Sequence, residues 1–221
     1  MNLGPYELNS IITGDARELA QAIPDESVDL IFTDPVYENV EDYEWLGALA
    51  MRTLKPNSAC LVWCGGKVLD ECRQALKSSG LNFRWTLYYA CSAKTAKPVD
   101  GGIFPWVTPC WFFSKGKFTA RPHINDWFFS PYSAKSAFKW NKGSLVVEHW
   151  MRSFSKEKDI VFDPFAGEGT VEIAAKKLER NFLGFEINTE RAAKARRHIE
   201  QTKAINRVLD FRPMKQMRMQ A

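Results

Sequence analysis

The stretch from Asp159 to Thr170 reads DIVFDPFAGEGT, and it decides the fold. The apolar residues that precede Asp163 predict a short buried strand, and the residues from Thr170 to Leu178 predict a helix. Between them lie two glycines, which let the backbone turn tightly and approach a ligand closely. A strand, a glycine-rich turn and a helix in this order predict a site for a nucleotide-like cofactor.

The strand predicted next, Asn181 to Glu186, ends in an acidic residue. In dinucleotide sites an acid at this place accepts hydrogen bonds from ribose hydroxyls. Neither a GxGxxG nor a GxxxxGK[ST] phosphate loop accompanies it. The pattern therefore favours a cofactor that has a ribose and lacks a pyrophosphate, and a surface acid at a strand end is the structural alternative.

A second motif, DPVY from Asp34 to Tyr37, follows the apolar run Val28 to Phe32. Such a run predicts another buried strand. Asp34 and the carbonyl oxygen of Pro35 could accept the two hydrogens of an exocyclic base amine, which turns the nitrogen lone pair towards a methyl donor. The Tyr37 ring could stack on a base rotated out of a duplex. Taken alone, the motif is equally compatible with an Asp-Pro turn and a packed tyrosine.

Strands and helices alternate along most of the chain, which predicts an α/β fold with a parallel sheet covered by helices on both faces. In such a fold, ligands bind outside the carboxyl ends of the strands, so we expect the functional residues just after strands. The further predicted elements are a helix Tyr43 to Leu54, a turn Lys55 to Asn57, a strand Ala59 to Cys64, a helix from Gly65 to about Leu76, aromatic strands Leu81 to Cys91 and Thr108 to Phe118, and a helix Thr189 to Lys203.

Bulk properties narrow the class of protein. The 221 residues suit a single domain, 1–221. No apolar run approaches the ~20 residues of a membrane span and no signal-peptide profile opens the chain, so we expect a cytoplasmic protein with no membrane partner.

The five cysteines are odd in number and form no CxxC pair, which favours free packing thiols over disulfides or zinc. The basic residues concentrated from Arg191 to Arg218 suit either a polyanionic partner or a solvated helix face with a frayed end.

In these motifs the chain resembles the β-type amino-methyltransferases of DNA, in which a catalytic DPPY element precedes a cofactor-binding DPFxGxGT element. The resemblance covers Gly14 to Leu19, the catalytic motif and Trp63, more weakly Thr108 to Gly116, and strongly Asp159 to Arg197. It implies a Rossmann-like S-adenosylmethionine-dependent methyltransferase fold. That fold has a seven-stranded, mostly parallel sheet with helices on both faces and one antiparallel strand.

The resemblance also implies a role for individual residues and no metal. The catalytic residues would be Asp34, Pro35 and Tyr37. Asp15 would approach the adenine of S-adenosylmethionine, and Glu186 would hold its ribose. The remaining cofactor-binding residues would be Asp163, Phe165, Gly167, Gly169 and Thr170, around the methionine part.

Two departures from the family pattern bear on activity. Val36 stands where relatives have a second proline that holds Pro35 extended. A β-branched valine also favours an extended backbone, so we expect reduced rigidity and not loss of the site. Relatives carry a Lys-Pro pair before the helix that leads to the cofactor strand, where this chain has Lys142 and Ser144. We interpret Ser144 as a helix N-cap in preference to a cofactor ligand.

The resemblance implies a DNA methyltransferase of a bacterial cell or a phage-infected host, acting on the N6 amine of a flipped adenine. Adenine is favoured because cytosine-modifying relatives more often have serine at the position of Asp34. A short recognition segment at about 117–141 would contact DNA, and its shortness is compatible with a homodimer or with relaxed specificity. The aromatic residues expected near the DNA are Trp106, Trp111, Trp127, Phe128, Phe129 and Tyr132, of which we assume Trp111 to be core packing, and the basic residues are Lys94, Lys97, Lys115, Lys117, Arg121, Lys135 and Lys139. The alternatives are methylation of cytosine N4, RNA or a protein amide, and a catalytically impaired subunit that supplies DNA contacts.

Overall fold

The protein is described by a computed structural model over residues 1–37, 39–65, 69–91, 98, 100–130 and 144–203. The strands are β1 (Asn2–Leu3), β2 (Tyr6–Glu7), β3 (Ser10–Thr13), β4 (Val28–Thr33), β5 (Leu54–Trp63), β6 (Asn82–Cys91), β7 (Val107–Lys115), β8 (Trp127–Ser130), β9 (Ile160–Asp163) and β10 (Asn181–Glu186). The helices are α1 (Ala16–Leu19), α2 (Val40–Thr53), α3 (Leu69–Ser78), α4 (Ser144–Phe154), α5 (Thr170–Lys177) and α6 (Thr189–Gln201). Within these ranges, none of the helices has the length and apolar character needed to cross a membrane.

Eight strands form one sheet in the order β3-β10-β9-β4-β5-β7-β6-β8. Neighbours from β3 to β5 pair in parallel, whereas β7 runs antiparallel to both β5 and β6. The predicted α/β fold, with a mostly parallel sheet and one antiparallel strand, is confirmed. The sheet has one strand more than the seven expected, because β8 adds to its edge in parallel with β6. Outside it, β1 and β2 form a small antiparallel ribbon.

Helices cover both faces of the sheet, as predicted, and strand β5 shows how the sequence achieves this. Leu61 and Trp63 point into a core shared with α4, α5 and α6. Cys60 and Val62 alternate with them and enter a second core, shared with α1, α2 and α3. All four side chains are almost completely buried. A continuous apolar run in a central strand is the expected consequence of burial on both faces.

The connection from α2 to β5 is tighter than predicted. The turn expected from Lys55 to Asn57 is part of β5, which begins at Leu54 directly after the helix. Asn57 has a left-handed backbone (φ +62°), and the pairing of β4 with β5 shifts register between Val28 and Leu30. The turn-favouring residues Lys55 to Asn57 thus form an irregular part of strand β5 instead of a separate loop.

Four of the five cysteines have described side chains. Cys60, Cys64, Cys72 and Cys110 are free and buried, which confirms the prediction for these four. Burial raises the pKa of the Cys60 thiol, so this side chain behaves as a small apolar group. The side chain of Cys91 lies outside the described residues.

The turn into α5 depends on a glycine that cannot be replaced without strain. Gly169 has φ +84°, and an added Cβ would lie 3.1 Å from the Cβ of Ala195 in α6. Gly101 has a similar φ of +72°, and no atom of the described residues lies within 4 Å of an added Cβ. We expect Gly101→Ala to lower the free energy of unfolding by about 1–2 kcal/mol through its backbone alone. We expect about 2–4 kcal/mol for Gly169→Ala, because crowding adds to the strain. Urea unfolding of both variants measures the difference, and equal losses would show that α5 and α6 move apart freely.

Candidate active site

A cavity of about 560 Å³ lies at the carboxyl ends of β4 and β9. The two strands are neighbours in the sheet, yet the chain continues from β4 towards β5 on one side and from β9 towards β10 on the other. A crevice opens at such a switch point, and ligands of α/β proteins bind there. A volume of this size is typical of pockets for small molecules and cofactors. Both sequence motifs meet at this point, since Asp34 follows β4 and Asp163 ends β9.

The glycine-rich turn is fastened to the end of β10 by two hydrogen bonds. The Ala166 amide donates to the carbonyl oxygen of Phe185 at 2.9 Å, and the Gly167 amide donates to Glu186 Oε2 at 2.8 Å. Gly167 has a left-handed φ of +55° and lines the cavity. Within the described part of the chain, only the Phe165 carbonyl oxygen, at 4.0 Å, lies within contact distance of an added Cβ, so the turn presents bare backbone to the cavity on this side.

Glu186 has hydrogen-bonding capacity left for a ligand. Its Oε1 accepts from the Asn188 amide at 2.7 Å, and its Oε2 accepts from Gly167. A carboxylate oxygen has two lone pairs, so each oxygen can accept one more hydrogen bond. The residue is largely buried and lines the cavity. It is therefore fixed in place and able to accept from two neighbouring hydroxyl groups.

Asp163 lies at the bottom of the cavity, almost fully buried. Burial raises the pKa of its carboxyl to about 7, against the lowering effect of hydrogen bonds from Thr33 Oγ1 at 2.6 Å and the Phe165 amide at 2.9 Å. The negative charges of Asp34 and Glu186 raise the pKa further. A cation bound beside Asp163 would stabilise its ionised form.

Asp34 and Tyr37 are linked at the mouth of the cavity. Asp34 is exposed and lines the cavity, whereas Tyr37 is half-buried beside it. Burial raises the pKa of the Tyr37 phenol well above its ordinary value, and the charge of Asp34 and a hydrogen bond with its side chain raise it further. The phenol is therefore protonated at all physiological pH values and donates to the carboxylate. Pro35 is buried between them, and Val36 points outward with 66% of its surface exposed.

Gly65, just after β5, lets Tyr37 pack where it does. An added Cβ on Gly65 would lie 2.7 Å from the Cβ of Tyr37, closer than real Cβ atoms approach one another. Behind the loop, the Cys72 thiol donates to the Tyr37 carbonyl oxygen at 3.9 Å. The ring of Trp63 lines the cavity next to this loop and packs against Trp150, with ring centroids 5.2 Å apart.

Asp15 belongs to the rim of the cavity. It caps α1, since its side chain accepts from the Arg17 amide at 2.8 Å. The amide before it, from Gly14, donates to the carbonyl oxygen of Glu186 at 3.1 Å. The start of α1 is thus tied to the end of β10, which brings Asp15 to the same cavity as Glu186.

The structure brings seven of the ten predicted site residues to the wall of one cavity, and the other three lie behind it. Pro35 and Tyr37 belong to the Asp34 loop, and Gly169 is packed beneath the start of α5. The residues in the wall are Asp15, Asp34, Asp163, Phe165, Gly167, Thr170 and Glu186. Ser144 is the first residue of α4, so its role as the N-cap stays a prediction, and Lys142 lies outside the described residues.

Sequence reasoning missed several residues of this site. Thr33 supports Asp163, and Arg17 and Asp42 line the cavity as an ion pair with a 2.8 Å separation. Asp42 was detectable in principle, because it is an acid next to Tyr43 on the apolar face of α2. Thr33 was not, since its role depends on the pairing of strands distant in the sequence.

Glu172 is a further missed residue, in the first turn of α5 and completely buried. Neither of its carboxyl oxygens has a hydrogen-bond partner among the described residues. The absent side chain of Gly184 leaves it room, because an added Cβ there would collide with Glu172 Oε1. Burial raises the pKa of Glu172 well above its ordinary value, and the charge of Asp163 raises it further. Burial therefore favours the neutral form of this acid in the folded protein.

This neutral acid makes stability depend on pH. Above about pH 5 the unfolded chain releases the Glu172 proton and the folded protein keeps it, so the free energy of unfolding falls as pH rises. Glu172→Gln removes this effect. We expect the free energy of unfolding of Glu172→Gln to rise relative to that of the unsubstituted protein between pH 5 and pH 8. The rise is at most on the order of 1 kcal/mol per pH unit. Urea unfolding at several pH values tests this, with Glu157→Gln at an exposed position as the control, and parallel pH profiles would contradict it.

The predicted DNA-facing aromatic residues divide into two groups. Trp111 is buried in the core, as predicted, and Phe128 packs against the core from β8. Trp106, Trp127 and Phe129 are exposed. Tyr132 and residues 131–141 of the predicted recognition segment lie outside the described residues, as do Lys94 and Lys97.

Lys115 does not belong to this surface. Its ammonium group donates to Glu26 Oε1 and to the Leu54 carbonyl oxygen, both at 2.9 Å. Because β7 is antiparallel to β5, its last residue lies at the amino end of β5, away from the cavity. The sequence grouped Lys115 with basic residues that are close to it only along the chain.

Part of the chain that includes residues of this site matches a known protein family. A family model for N6/N4 methyltransferases, described as DNA methylase, matches residues 106–197, which include the glycine-rich turn and Glu186. Residues 106–197 thus match the N6/N4 DNA methylase family. This family uses S-adenosylmethionine, and the fit of the cavity to that cofactor is considered below. The DPVY motif lies outside the matched residues.

Two curated proteins similar to this chain are named as Type II methyltransferases. The chain is 30% identical to M.HinfI of Haemophilus influenzae, over 81% of this chain and 65% of that protein. It is 26% identical to M.BglII of Bacillus subtilis, over 83% of this chain and 66% of that protein. The chain thus spans about two thirds of the length of these curated relatives.

Solved structures share the fold. The M1.HpyAVI–SAM complex aligns with a TM-score of 0.72 at 23% identity, over 86% of this chain and 98% of that one. PvuII DNA methyltransferase, described as cytosine-N4-specific, aligns with a TM-score of 0.74 at 18% identity, over 86% of this chain and 85% of that one.

Proposed function

We propose that this protein transfers a methyl group from S-adenosylmethionine to the N6 amine of adenine in DNA, acting as one methyltransferase domain. The observation that supports the proposal is the position of Asp34, which lines the same cavity as the glycine-rich turn and Glu186. One crevice thus contains the Asp34 carboxylate, which can accept amine hydrogens, and the Glu186 carboxylate, which can accept from ribose hydroxyls.

The lining of the cavity suits this cofactor, which supplies a methyl group bound to a positively charged sulfur. Acidic side chains outnumber basic ones around the cavity, so it favours a ligand that carries positive charge. Asp163, buried at its bottom, would pair with the ammonium group of the methionine part, and Glu186 would accept from the ribose hydroxyls. The lining acids are Asp15, Asp34, Asp42, Asp163, Glu168 and Glu186, and the lining bases are Arg17 and Arg191.

The DPVY loop would act on the acceptor. The Asp34 carboxylate and the Pro35 carbonyl oxygen would accept the two amine hydrogens, so that the nitrogen lone pair faces the cofactor. Tyr37, anchored to Asp34, would stack on a base taken out of the duplex. The proton released on transfer would pass to water at the mouth of the site, where Asp34 is exposed.

The choice of adenine over cytosine rests on aspartate at position 34. The second candidate is methylation of cytosine N4, favoured by the shared fold of the cytosine-N4-specific PvuII enzyme. Both bases present a planar exocyclic amine, and the same acceptor pair would bind either. The DNA partner would contact the exposed aromatic residues Trp106, Trp127 and Phe129, together with the segment at about 117–141 and, in a homodimer, a second copy.

The proposal predicts a specific product. The purified protein, incubated with S-adenosylmethionine and unmethylated duplex DNA, is expected to produce N6-methyladenine detectable by nucleoside mass spectrometry. Asp34→Ala is expected to reduce the rate by at least about 100-fold, because an acceptor for the reacting amine is lost. Asp70→Ala is the matched control, since this aspartate is exposed on α3 with 83% of its side chain accessible. N4-methylcytosine alone would overturn the choice of base, and binding of the cofactor without any nucleic-acid product would overturn the proposed activity.

Val36 gives a second prediction. The Val36 carbonyl oxygen accepts a hydrogen bond from the Asn39 amide at 3.2 Å. A proline at position 36 has the same carbonyl group, so this hydrogen bond is retained in Val36→Pro. Its side chain points outward, so Val36→Pro introduces no core collision. We expect this variant to fold and to raise kcat about two- to tenfold by restricting Pro35 to its extended conformation. Val36→Ala, which relaxes the backbone, is the control and should lower kcat, and a Val36→Pro variant with lower activity would show that the loop must move.

A further inference from the structure

Phe165 is the one large side chain that the glycine-rich turn contributes to the cavity, and its position depends on a contact outside the cavity. The edge of the Phe165 ring meets Trp45 of α2, with centroids 5.7 Å apart and an interplanar angle of 84°. Edge-to-face pairs of this kind have a preferred geometry and hold both rings in it. Trp45 itself does not line the cavity, so it can affect a ligand there only through its neighbours.

Trp45 also contacts a cationic side chain. The Arg17 guanidinium lies over the Trp45 ring, 5.8 Å from the centroid, and Arg17 Nη2 contacts Asp42 Oδ1 at 2.8 Å. Asp42 has only 11% of its side chain exposed. A cation fixed by a buried carboxylate over an indole ring restrains the ring more than solvent-exposed neighbours would. Four side chains, from α1, α2 and the glycine-rich turn, thus form a continuous row.

This row joins the two halves of the site. The helix that carries Trp45 and Asp42 begins at Val40, three residues after Tyr37 and the end of the DPVY motif. At its other end the row reaches Phe165, two residues after Asp163. A side chain of the helix that follows the acceptor loop, Trp45, therefore contacts and positions the Phe165 ring of the cofactor-binding turn.

We infer that Trp45 is a positioning residue for S-adenosylmethionine, because its ring braces Phe165 against the cavity while Arg17 and Asp42 hold the ring in place. The inference rests on the proposed function, since it takes that cofactor as the ligand of the cavity. Trp45 touches no reacting atom, so its loss changes the affinity for the cofactor more than the rate of the bound enzyme.

The test is calorimetric titration of the purified full chain with S-adenosylmethionine and with S-adenosylhomocysteine. Trp45→Ala is expected to weaken binding of both about three- to tenfold, the range of one aromatic pair. Trp45→Phe retains an aromatic edge and should recover most of the affinity. Trp45→Leu keeps an apolar side chain in α2 and removes the ring, so it tests the same point if Trp45→Ala is too unstable to titrate.

A matched control separates positioning from general stability. Phe83 has the same kind of surroundings, with Arg73 5.5 Å from its ring centroid and the Phe113 ring edge-on at 5.3 Å, but it lies away from the cavity. Phe83→Ala should lower the thermal unfolding temperature and leave the cofactor Kd within about twofold of the unsubstituted protein.

A double substitution tests the route through Phe165. If Trp45 acts by bracing Phe165, its loss has little effect in a Phe165→Ala background, and the two affinity losses do not add. Fully additive losses, or unchanged affinity in Trp45→Ala and Trp45→Leu, would overturn the inference while the proposed function stands. Failure of the unsubstituted protein to bind either ligand would overturn the proposed function and the inference with it.

Discussion

Two side-chain hydrogen bonds lock β4 beside β9, and the site depends on that pairing. At the amino end of the pair, Asp29 Oδ2 accepts from the Ile160 amide at 2.9 Å, and the other oxygen of Asp29 contacts Lys55 Nζ at 2.6 Å. At the carboxyl end, Thr33 Oγ1 donates to Asp163 Oδ1 at 2.6 Å. These bonds join two segments that are about 130 residues apart in the chain. Through them, the residue after β4 and the turn after β9 face each other across one crevice, where acceptor and cofactor chemistry can be combined.

Several carboxyl groups are buried in or next to the same crevice. Asp163 and Glu172 are buried close together, with Glu186 beside them, and burial raises the pKa of the first two. Placing carboxyl groups in such surroundings opposes folding unless they are neutral, hydrogen-bonded or paired with a cation. The protein uses the first two solutions, neutrality at Glu172 and hydrogen bonds at Asp163 and Glu186. A positively charged ligand supplies the third, so part of its affinity comes from relief of a repulsion built into the fold.

The sequence was sufficient for the parts of this arrangement that are local. The glycine-rich turn, Glu186 and the DPVY loop each follow a strand that is visible as an apolar run, and the α/β rule brings the ends of those strands together. Residues whose roles depend on partners distant in the sequence could not be found this way. Thr33 and Trp45 became interpretable only through their contacts with Asp163 and Phe165, which are distant from them in the sequence. Strand β8 has four residues, too few for a periodic signal, and it exists because the edge of β6 was available for pairing.

Val36 shows how rigidity can be supplied by packing in place of a second proline. The side chain of residue 36 is exposed, so a proline there could act only through the backbone. In this chain the loop is restrained at the next residue instead. The Tyr37 Cβ and ring lie against Gly65, its carbonyl oxygen accepts from Cys72, and its phenol is bound to Asp34. Three contacts at Tyr37 fix the loop from the core side, which leaves Pro35 between a strand end and an anchored ring. A motif that departs from its family pattern at an exposed position is thus still held in a defined conformation by its neighbours.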